Sequence, residues 1–293
     1  MCKTTLEFLK KGLQTLVQDN GRLDHRASGV PIGGALDKSS MLIANNLVRN
    51  EFNSPVLEMT IAGPTIRFVG DNCIIAVTGA DISPAIDGDQ IEMYRSIRVV
   101  GNDILSFGKL NSGCRAYLAV RGNWQVRKWL SSASAIFSDL TDVTPDSYIV
   151  KGSTLTVAHD GKYESHIYPD SQRPEFRETI IVRVVPGPEI DMFDDATLAH
   201  FFSTKHLITP SSNRWGYRLD GKFQTHKPGK ELISSGVFPG VIQIPHSGGP
   251  IILMADAQTT GGYPRIAVVV NADLDKLAQA KPGDSLEFRI MKQ

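Results

Sequence analysis

Short apolar segments rich in β-branched residues recur along the whole chain, and they constrain its fold more than any other feature. Gly, Asp, Asn or Pro interrupts them about every ten residues, and clear examples are residues 73–78, 97–100, 116–120, 179–185 and 241–244. β-Branched residues favour strands, and closely spaced turn residues favour antiparallel pairing. The pattern predicts a mostly β fold, built from sheets or barrels with few short helices.

Three segments have the spacing of apolar residues that is typical of helices. The first is residues 38–50, which follow Asp37, a suitable N-cap. The second is residues 190–202. The third is residues 274–280, which end at the Pro-Gly-Asp turn of residues 282–284.

A polar segment divides the chain into two parts. Residues 163–178 contain two prolines and little hydrophobic periodicity, which is typical of a linker. We therefore predict an N-terminal β subdomain at residues 1–165 and a C-terminal β subdomain at residues 178–293. The alternative is a long surface loop within one domain.

Charge and composition argue against several classes of function. The 293 residues include 31 basic and 31 acidic ones, so we expect neither nucleic-acid binding by phosphate neutralisation nor attraction to an anionic membrane. No apolar run approaches the roughly 18 residues of a membrane span, and residues 1–22 do not resemble a signal peptide. The 3 cysteines form no CxxC pair, which suits a reducing compartment. We expect a soluble, cytoplasmic protein.

The common motifs of metal sites, nucleotide sites and hydrolases are missing from the sequence. It contains no HxH, HExxH or CxxC, no Walker A loop, no GxGxxG after a strand and no GxSxG. We therefore predict no metal site. A self-contained nucleotide site or serine hydrolase is not supported.

The connection between two apolar runs, residues 250–255 and 266–270, is a candidate binding loop. Its sequence, DAQTTGGYPR, has ten residues, whereas a hairpin loop usually needs two to five. Gly261 and Gly262 let a ligand approach the backbone closely, and the threonines add hydroxyl groups. The alternative is a structural loop in which the glycines only turn the chain.

Charged residues border this loop and an upstream segment. Asp256 follows an apolar strand, so its carboxylate is expected to need a cation, for which Arg265 is one candidate. Upstream, Arg214 and Arg218 lie four positions apart in the segment RWGYR. In an extended strand they would share a face and could bind an anion together. The alternative is that one arginine forms a structural ion pair and the other is solvated.

The segment at residues 233–250 adds polar groups to the candidate site. Gln243 interrupts an apolar run and would need a hydrogen-bond partner if buried. His246 could act as an acid or base, although a histidine in a Pro/Ser/Gly loop is more often only exposed. Our predicted substrate-contacting residues are Tyr217, Ser235, Gln243, Gln258, Thr259, Thr260, Gly261, Gly262 and Tyr263.

Several of these segments resemble a known family. The matching stretches are residues 17–64, VTGAD at 77–81, AYLAVRG at 116–122 and almost all of 183–288, including SNRWGYRLDG and ADAQTTGGYPR. They resemble the biotin-dependent carboxyltransferase-like family. That family includes allophanate hydrolase subunit 2, which is also called the C subunit of 5-oxoprolinase, and the carboxyltransferase portion of urea carboxylase.

The resemblance implies a fold, a reaction and partners. The implied fold is β-rich, with a cyclophilin-like barrel in the C-terminal subdomain. The implied reaction is the ATP-driven opening of 5-oxoproline to glutamate. The implied partners are a smaller related protein, similar to the B subunit of 5-oxoprolinase, which completes the active site, and a metal-associated protein similar to the A subunit. We hypothesise catalytic roles for Arg214, Arg218 and Asp256.

The sequence departs from the family pattern at several positions. Residues 123–134 lack the usual Gly-Ser-Arg segment and the glycine-rich stretch. Asn213 stands where Asp is usual, His246 lies where Asp is more usual, and Ala257 replaces a more usual Arg. These changes leave the predicted fold intact and bear on the substrate.

Two other functions stay open from the sequence. One is a carboxyltransferase that acts on urea or another amide with carboxybiotin. In that case biotin and an ATP-grasp module would come from elsewhere, because the chain has no Met-Lys-Met biotinylation motif. The other is a non-enzymatic regulator that antagonises an inhibitor of a sensor kinase.

Overall fold

The chain forms two compact units, each built around β-sheets. A computed structural model describes residues 1–136, 141–225 and 232–291. One unit comprises Met1–Arg22 and Gly33–Phe176, and the other comprises Leu23–Ile32 and Arg177–Gln293. The mostly β fold with few short helices is confirmed. The segment Leu23–Ile32, which lies in the N-terminal part of the sequence, belongs to the second unit.

The first unit contains two antiparallel sheets. Its strands, numbered in chain order over the described residues, are β1 (Cys2–Lys10), β2 (Gln14–Gln18), β3 (Val56–Thr60), β4 (Thr65–Gly70), β5 (Cys73–Asp81), β6 (Pro84–Ile86), β7 (Asp89–Gln90), β8 (Ser96–Val99), β9 (Ile104–Phe107), β10 (Ser112–Val120), β11 (Asn123–Trp124) and β12 (Thr154–His159). One sheet has the order β11-β12-β1-β4-β9-β6-β7, and the other has the order β2-β3-β10-β5-β8. Both sheets contribute side chains to one hydrophobic core.

A helix covers the outer face of the β2-β3-β10-β5-β8 sheet. Helix α1 (Lys38–Leu47) begins after Asp37, whose side chain accepts a hydrogen bond from the Ser40 backbone N–H. Its apolar side packs against residues of β5 and β10 such as Ile74 and Tyr117. Strands β5 and β10 are therefore buried on both faces, which explains why their sequences are continuous apolar runs rather than alternating ones. The predicted N-cap is confirmed, and the predicted helix is present but ends at Leu47 rather than at residue 50.

The second unit contains one larger sheet and a two-stranded ribbon. Within the described part of this unit the strands are β13 (Thr179–Pro186), β14 (His206–Leu207), β15 (Gly216–Arg218), β16 (Ser235–Gly236), β17 (Val241–Gln243), β18 (Ile251–Leu253), β19 (Thr260–Gly261), β20 (Arg265–Val269) and β21 (Ser285–Ile290). The sheet order is β14-β21-β13-β20-β17-β18-β15, and β16 pairs with β19 to form the ribbon. Strands β13 and β21 are parallel, and the other pairs are antiparallel.

The helices of the second unit are shorter than predicted. Residues 190–202 are not one helix, because a 3-10 turn at Ile190–Met192 ends in extended backbone at Phe193. Helix α2 (Asp195–Ser203) then starts afresh, since the Asp194 side chain accepts from the Thr197 backbone N–H and caps it. Helix α3 spans Leu274–Ala278. None of the helices in the described ranges is long and apolar enough to cross a membrane.

The sheet order explains the length of the ten-residue connection after β18. Strands β18 and β20 are not neighbours, because β17 lies between them and pairs with both in antiparallel fashion. Strands β18 and β20 are therefore parallel to each other, and the chain must return along the sheet before β20 can begin. The connection cannot be a tight hairpin. Part of it forms β19, so it is more ordered than the sequence suggested.

A buried histidine lies in an aromatic cluster of the second unit. His206 is fully buried, and its ring centroid is 4.8 Å from that of Phe201 and 5.2 Å from that of Phe288. Its Nε2 lies 2.8 Å from the Phe201 carbonyl oxygen, so Nε2 carries the proton and donates. Its Nδ1 has no partner among the described residues. Burial lowers the pKa of His206, and the hydrogen bond to Phe201 only partly opposes this.

Replacing His206 by Gln should weaken the pH dependence of stability. Because the pKa is lower in the folded protein than in the unfolded chain, the unfolded chain takes up the proton first as pH falls below about 6.5. His206 therefore stabilises the fold above that pH and loses this contribution below it. Urea unfolding between pH 8 and pH 5 should show a smaller loss of unfolding free energy for H206Q than for the parent. An equal loss in both proteins would contradict this account.

Candidate functional site

One face of three neighbouring strands forms the floor of a cavity in the second unit. In the register of β15, β18 and β17, Arg218 is opposite Ile251, which is opposite Gln243. Residues that lie opposite each other share a face of the sheet, and alternate residues along a strand point the same way. Gly216 and Leu253 therefore lie on the same face as this row.

The cavity above this face has a volume of about 230 Å³. Polar, aromatic and apolar side chains line it, and the lining residues are Asn213, Trp215, Gly216, Arg218, Gln243, Ile251, Leu253, Gln258 and Tyr263. Four of these are among the predicted site residues, namely Arg218, Gln243, Gln258 and Tyr263. The segment RWGYR and the loop after β18 therefore meet at one cavity.

Arg218 supplies the positive charge of the cavity. Its side chain is exposed, and its guanidinium makes no ion pair or hydrogen bond with another side chain that the structure describes. Its backbone N–H is held by the Ser212 hydroxyl at 3.0 Å. The backbone is thus fixed while the charge is available to a ligand.

Gln243 supplies a buried hydrogen-bond donor. The residue is 1% exposed, and its Nε2 has no hydrogen-bond partner within the described residues. A Cβ built on Gly261 would lie 2.6 Å from this Nε2, so the amide rests against the backbone of β19. A buried N–H donor without an acceptor is unfavourable, which makes this amide a candidate ligand contact.

Arg214 and Asp256 form a buried ion pair beside the cavity. Arg214 Nε is 2.7 Å from Asp256 Oδ2, and Arg214 Nη2 is 2.9 Å from Asp256 Oδ1. The side chains are 1% and 3% exposed. The prediction that Arg214 and Arg218 share a strand face is wrong, because β15 begins only at Gly216. Asp256 pairs with a cation as expected, but the cation is Arg214 and not the candidate Arg265.

Arg265 pairs with Glu189 instead. Its guanidinium donates to both Glu189 carboxylate oxygens and, at 3.2 Å, to the Gly236 carbonyl of the ribbon. The hydrogen bonds from Arg265 lower the pKa of Glu189 despite its partial burial. Arg265 thus joins β20 to the ribbon.

The remaining predicted contacts lie in the ribbon or on the opposite face of the sheet. Tyr217 alternates with Arg218, so its ring is buried, and its hydroxyl donates to the Ala280 carbonyl at 3.3 Å. The Thr259 carbonyl accepts from Val237 N–H at 2.9 Å. Gly262 lies against Leu232 and Ser234. The ribbon itself contains Ser235, paired with Gly261, and Gly236, paired with Thr260.

Sequence reasoning missed several residues of this region. Trp215, Ile251 and Leu253 line the cavity, and register alone would have placed the last two there. Arg26, in the 3-10 helix Leu23–Ser28, donates to the Val237 carbonyl, and its guanidinium lies 5.7 Å from the Phe238 ring centroid. No local pattern could have revealed a contact between residues 211 positions apart.

The first unit holds a separate polar cluster around Asp19. This carboxylate is 1% exposed. Its Oδ1 accepts from the Ser132 and Ser134 hydroxyls at 2.6 Å each, and its Oδ2 accepts from Ala133 N–H at 2.7 Å. The segment that departs from the family pattern is thus packed onto a buried carboxylate. In the described ranges, no group of three or more His, Cys, Asp or Glu residues could hold a metal ion.

Comparison with known proteins identifies the family. The chain matches the family described as "Carboxyltransferase domain, subdomain A and B" over residues 28–290, and it belongs to that family. Among its relatives, the C subunit of 5-oxoprolinase from Escherichia coli is 35% identical over 287 residues, which are 97% of this chain and 90% of that protein. Urea amidolyase of Saccharomyces cerevisiae is 32% identical over 97% of this chain but only 16% of its own length.

A solved structure agrees with this assignment. The crystal structure of Kluyveromyces lactis urea carboxylase resembles the chain with a TM-score of 0.91 at 30% identity, over 98% of this chain and 27% of that one. The chain therefore spans nearly all of the bacterial relative and about a quarter or less of the two fungal proteins.

Removing the Asp256 carboxylate should destabilise the protein far more than removing the Arg218 guanidinium. Asp256→Ala removes the carboxylate that accepts from Nε and Nη2 of the buried Arg214, and breaking a buried ion pair costs about 3–5 kcal/mol. Arg218→Ala removes an exposed side chain and should cost less than about 0.5 kcal/mol. Urea unfolding of the two variants measures the difference. Equal losses would show that the buried pair does not anchor this region.

Replacing Arg26 by Ala should loosen the ribbon beside the cavity. Arg26 binds the Val237 carbonyl, and Val237 N–H donates to the Thr259 carbonyl. Hydrogen exchange of the Val237 amide should therefore become faster in Arg26→Ala, because local opening costs less. His25 lies in the same turn, so His25→Ala is the matched control and should leave this exchange rate unchanged. Unchanged exchange in both variants would rule out the tether.

Proposed function

We propose that this chain is one component of a 5-oxoprolinase complex, which uses ATP to convert 5-oxoproline to glutamate. The observation that carries the proposal is the 35% identity to the C subunit of 5-oxoprolinase, which extends over 97% of this chain and 90% of that protein. A second bacterial relative, from Haemophilus influenzae, has the same name and is 32% identical over 98% of this chain.

The cavity suits one part of this reaction. A lactam carbonyl is a poor electrophile, and its oxygen gains negative charge as the ring opens. Cations and N–H donors that are fixed in advance stabilise such charge. The Gln243 amide is an N–H donor of this kind, and Arg218 adds a cation to the same cavity. We assign Arg214 and Asp256 to positioning, because both are buried and they pair with each other.

We do not expect ATP to bind in this cavity. A volume of about 230 Å³ with one guanidinium is small for a nucleoside triphosphate, since sites for drug-sized ligands are roughly 300–1,000 Å³. The sequence also lacks a phosphate-binding loop. We therefore place ATP on a partner, together with the metal that the protein similar to the A subunit would hold. The smaller protein similar to the B subunit is the expected direct partner in the cytoplasm.

A carboxyltransferase acting on urea or another amide is the second candidate. The similarity to yeast urea amidolyase and to the urea carboxylase structure supports it. Because the chain spans only 16% of the yeast protein, a biotin carboxylase and a biotin carrier would have to be separate chains. The two candidates thus require different partners.

Reconstitution with the proteins encoded by neighbouring genes should distinguish the candidates. We expect glutamate from 5-oxoproline and ATP only when this chain is combined with both the metal-associated partner and the smaller β partner. Urea carboxylation that depends on carboxybiotin, with no glutamate formed, would instead identify the carboxyltransferase. Absence of both activities with every set of neighbours would contradict an enzymatic role.

Arg218→Ala provides the matched test within the active complex. It should lower glutamate formation at least about tenfold, because it removes the cation of the cavity. Arg289, an exposed arginine of β21 in the same unit, serves as the control, and Arg289→Ala should retain full activity. Full activity of Arg218→Ala would exclude this cavity from the reaction.

A further inference from the structure

The charge of the cavity indicates the charge of its ligand. Arg218 is the charged side chain among the lining residues, and no Asp or Glu lines the cavity within the described residues. The guanidinium also has no ion-pair partner among the described side chains. An arginine in this state binds a carboxylate well, since its N–H groups match both carboxylate oxygens. A cation or a zwitterion with an amine at this end would be repelled.

The hydrogen-bond donor at the other end of the cavity floor indicates that the ligand carries a neutral acceptor at that end. Gln243 Nε2 is buried without a partner in the described structure, and it lies in the same cross-strand row as Arg218. Two strand spacings separate the two backbones, roughly 10 Å. Both side chains project from the same face, so a ligand between them can contact both at once. A carbonyl oxygen is an acceptor that satisfies an amide N–H without bringing a second charge.

The other lining residues limit the size and polarity of the part of the ligand between its two polar groups. Ile251 and Leu253 lie on the apolar floor, and the aromatic residues Trp215 and Tyr263 also line the cavity. Trp215 and Tyr263 are 46% and 41% exposed, which leaves their rings available for contact. With about 230 Å³, the space suits one small ring and its substituents.

We propose that this cavity selects a small cyclic monocarboxylate that also carries a neutral carbonyl, with the carboxylate at Arg218 and the carbonyl oxygen at the Gln243 amide. This assignment rests on the proposed function, because 5-oxoproline has both groups on one five-membered ring. What it adds is the assignment of each ligand group to the residue that binds it. Urea and neutral lactams lack the carboxylate and are rejected at Arg218.

Binding to the full chain, without ATP or partners, tests the assignment. The probes are 5-oxoproline, 2-pyrrolidinone, which is the same ring without the carboxylate, cyclopentanecarboxylate, which lacks the lactam, and urea. Trp215 fluorescence and titration calorimetry report binding. We expect 5-oxoproline to bind at least about tenfold more tightly than each of the others. Equal binding of 5-oxoproline and 2-pyrrolidinone would overturn the assignment.

Two variants separate the roles of the two ends. Arg218→Ala should abolish the preference for 5-oxoproline over 2-pyrrolidinone and keep the preference over cyclopentanecarboxylate. Gln243→Met, of similar size but without the amide, should do the reverse. If either variant lowers the affinity for all probes by the same factor, the division of roles is wrong.

A pair of glycine variants controls for general disturbance of the ribbon. In Gly261→Ala the new methyl group would meet Gln243 Nε2, so the preference for the lactam should fall as in Gln243→Met. Gly236 lies opposite Thr260 in the same ribbon, and a Cβ there meets nothing within 4 Å. Gly236→Ala should therefore bind all probes like the parent. Loss of binding in both glycine variants would contradict a specific role for Gln243.

The outcomes separate this inference from the proposed function. If the binding preferences hold but no set of partners produces glutamate, the proposed function fails and the ligand assignment stands. If the complex produces glutamate but Arg218→Ala keeps the KM for 5-oxoproline, the ligand assignment fails alone. If the isolated chain binds no probe, the KM values of the same variants in the complex decide, and unchanged values overturn the assignment.

Discussion

The buried ion pair between Arg214 and Asp256 is the interaction on which the site geometry depends. It joins Arg214, two residues before β15, to Asp256, which starts the loop after β18. The Asp256 backbone N–H also donates to the Arg214 carbonyl at 3.1 Å. Along the chain, each partner of the pair is followed by a residue that lines the cavity. A buried pair contributes little net stability compared with apolar packing, but its fixed geometry sets the distance between the two walls. Trp215 and Gln258, which line the cavity, lie close in the chain to the two partners.

The sheet order then determines the length and the path of the loop after β18. Since β17 separates β18 from β20, the chain between them must travel back along the sheet. On this return path it forms a ribbon with residues 235–236. Arg26 and Arg265 bind the backbone carbonyls of Val237 and Gly236 and hold that ribbon. The loop is therefore long for a topological reason, and its position at the cavity follows from the same constraint.

Much of this arrangement is encoded in local patterns, and the rest is not. β-Branched runs predicted the strands, and the loop composition singled out Gln258 and Tyr263. The structural role of Arg214 depends on where β15 begins, and no rule about residue spacing reveals that position. Tyr217 was misjudged for the same reason, since strand alternation places it on the face opposite to that of Arg218. Arg26 could not be found, because its partner is distant in sequence and lies in another element.

The residues at three departures from the family pattern make contacts that explain how the chain accommodates them. Asn213 still accepts the Trp215 backbone N–H at 2.8 Å, so the amide keeps the turn that an aspartate would form while leaving Arg218 without a neighbouring negative charge. His246 contacts Tyr263 edge to face at 5.8 Å. Ala257 is buried in a small apolar cluster. The change at Asn213 favours an anionic ligand, because it removes a carboxylate from the cavity lining.

A crystal structure of the chain with 5-oxoproline bound is the most direct test of the central claim. We expect the ligand carboxylate within hydrogen-bond distance of the Arg218 guanidinium and the ring carbonyl oxygen at Gln243 Nε2, with the Arg214–Asp256 pair intact. A ligand bound elsewhere on the chain, or one bound here with Arg218 turned away from it, would contradict the account.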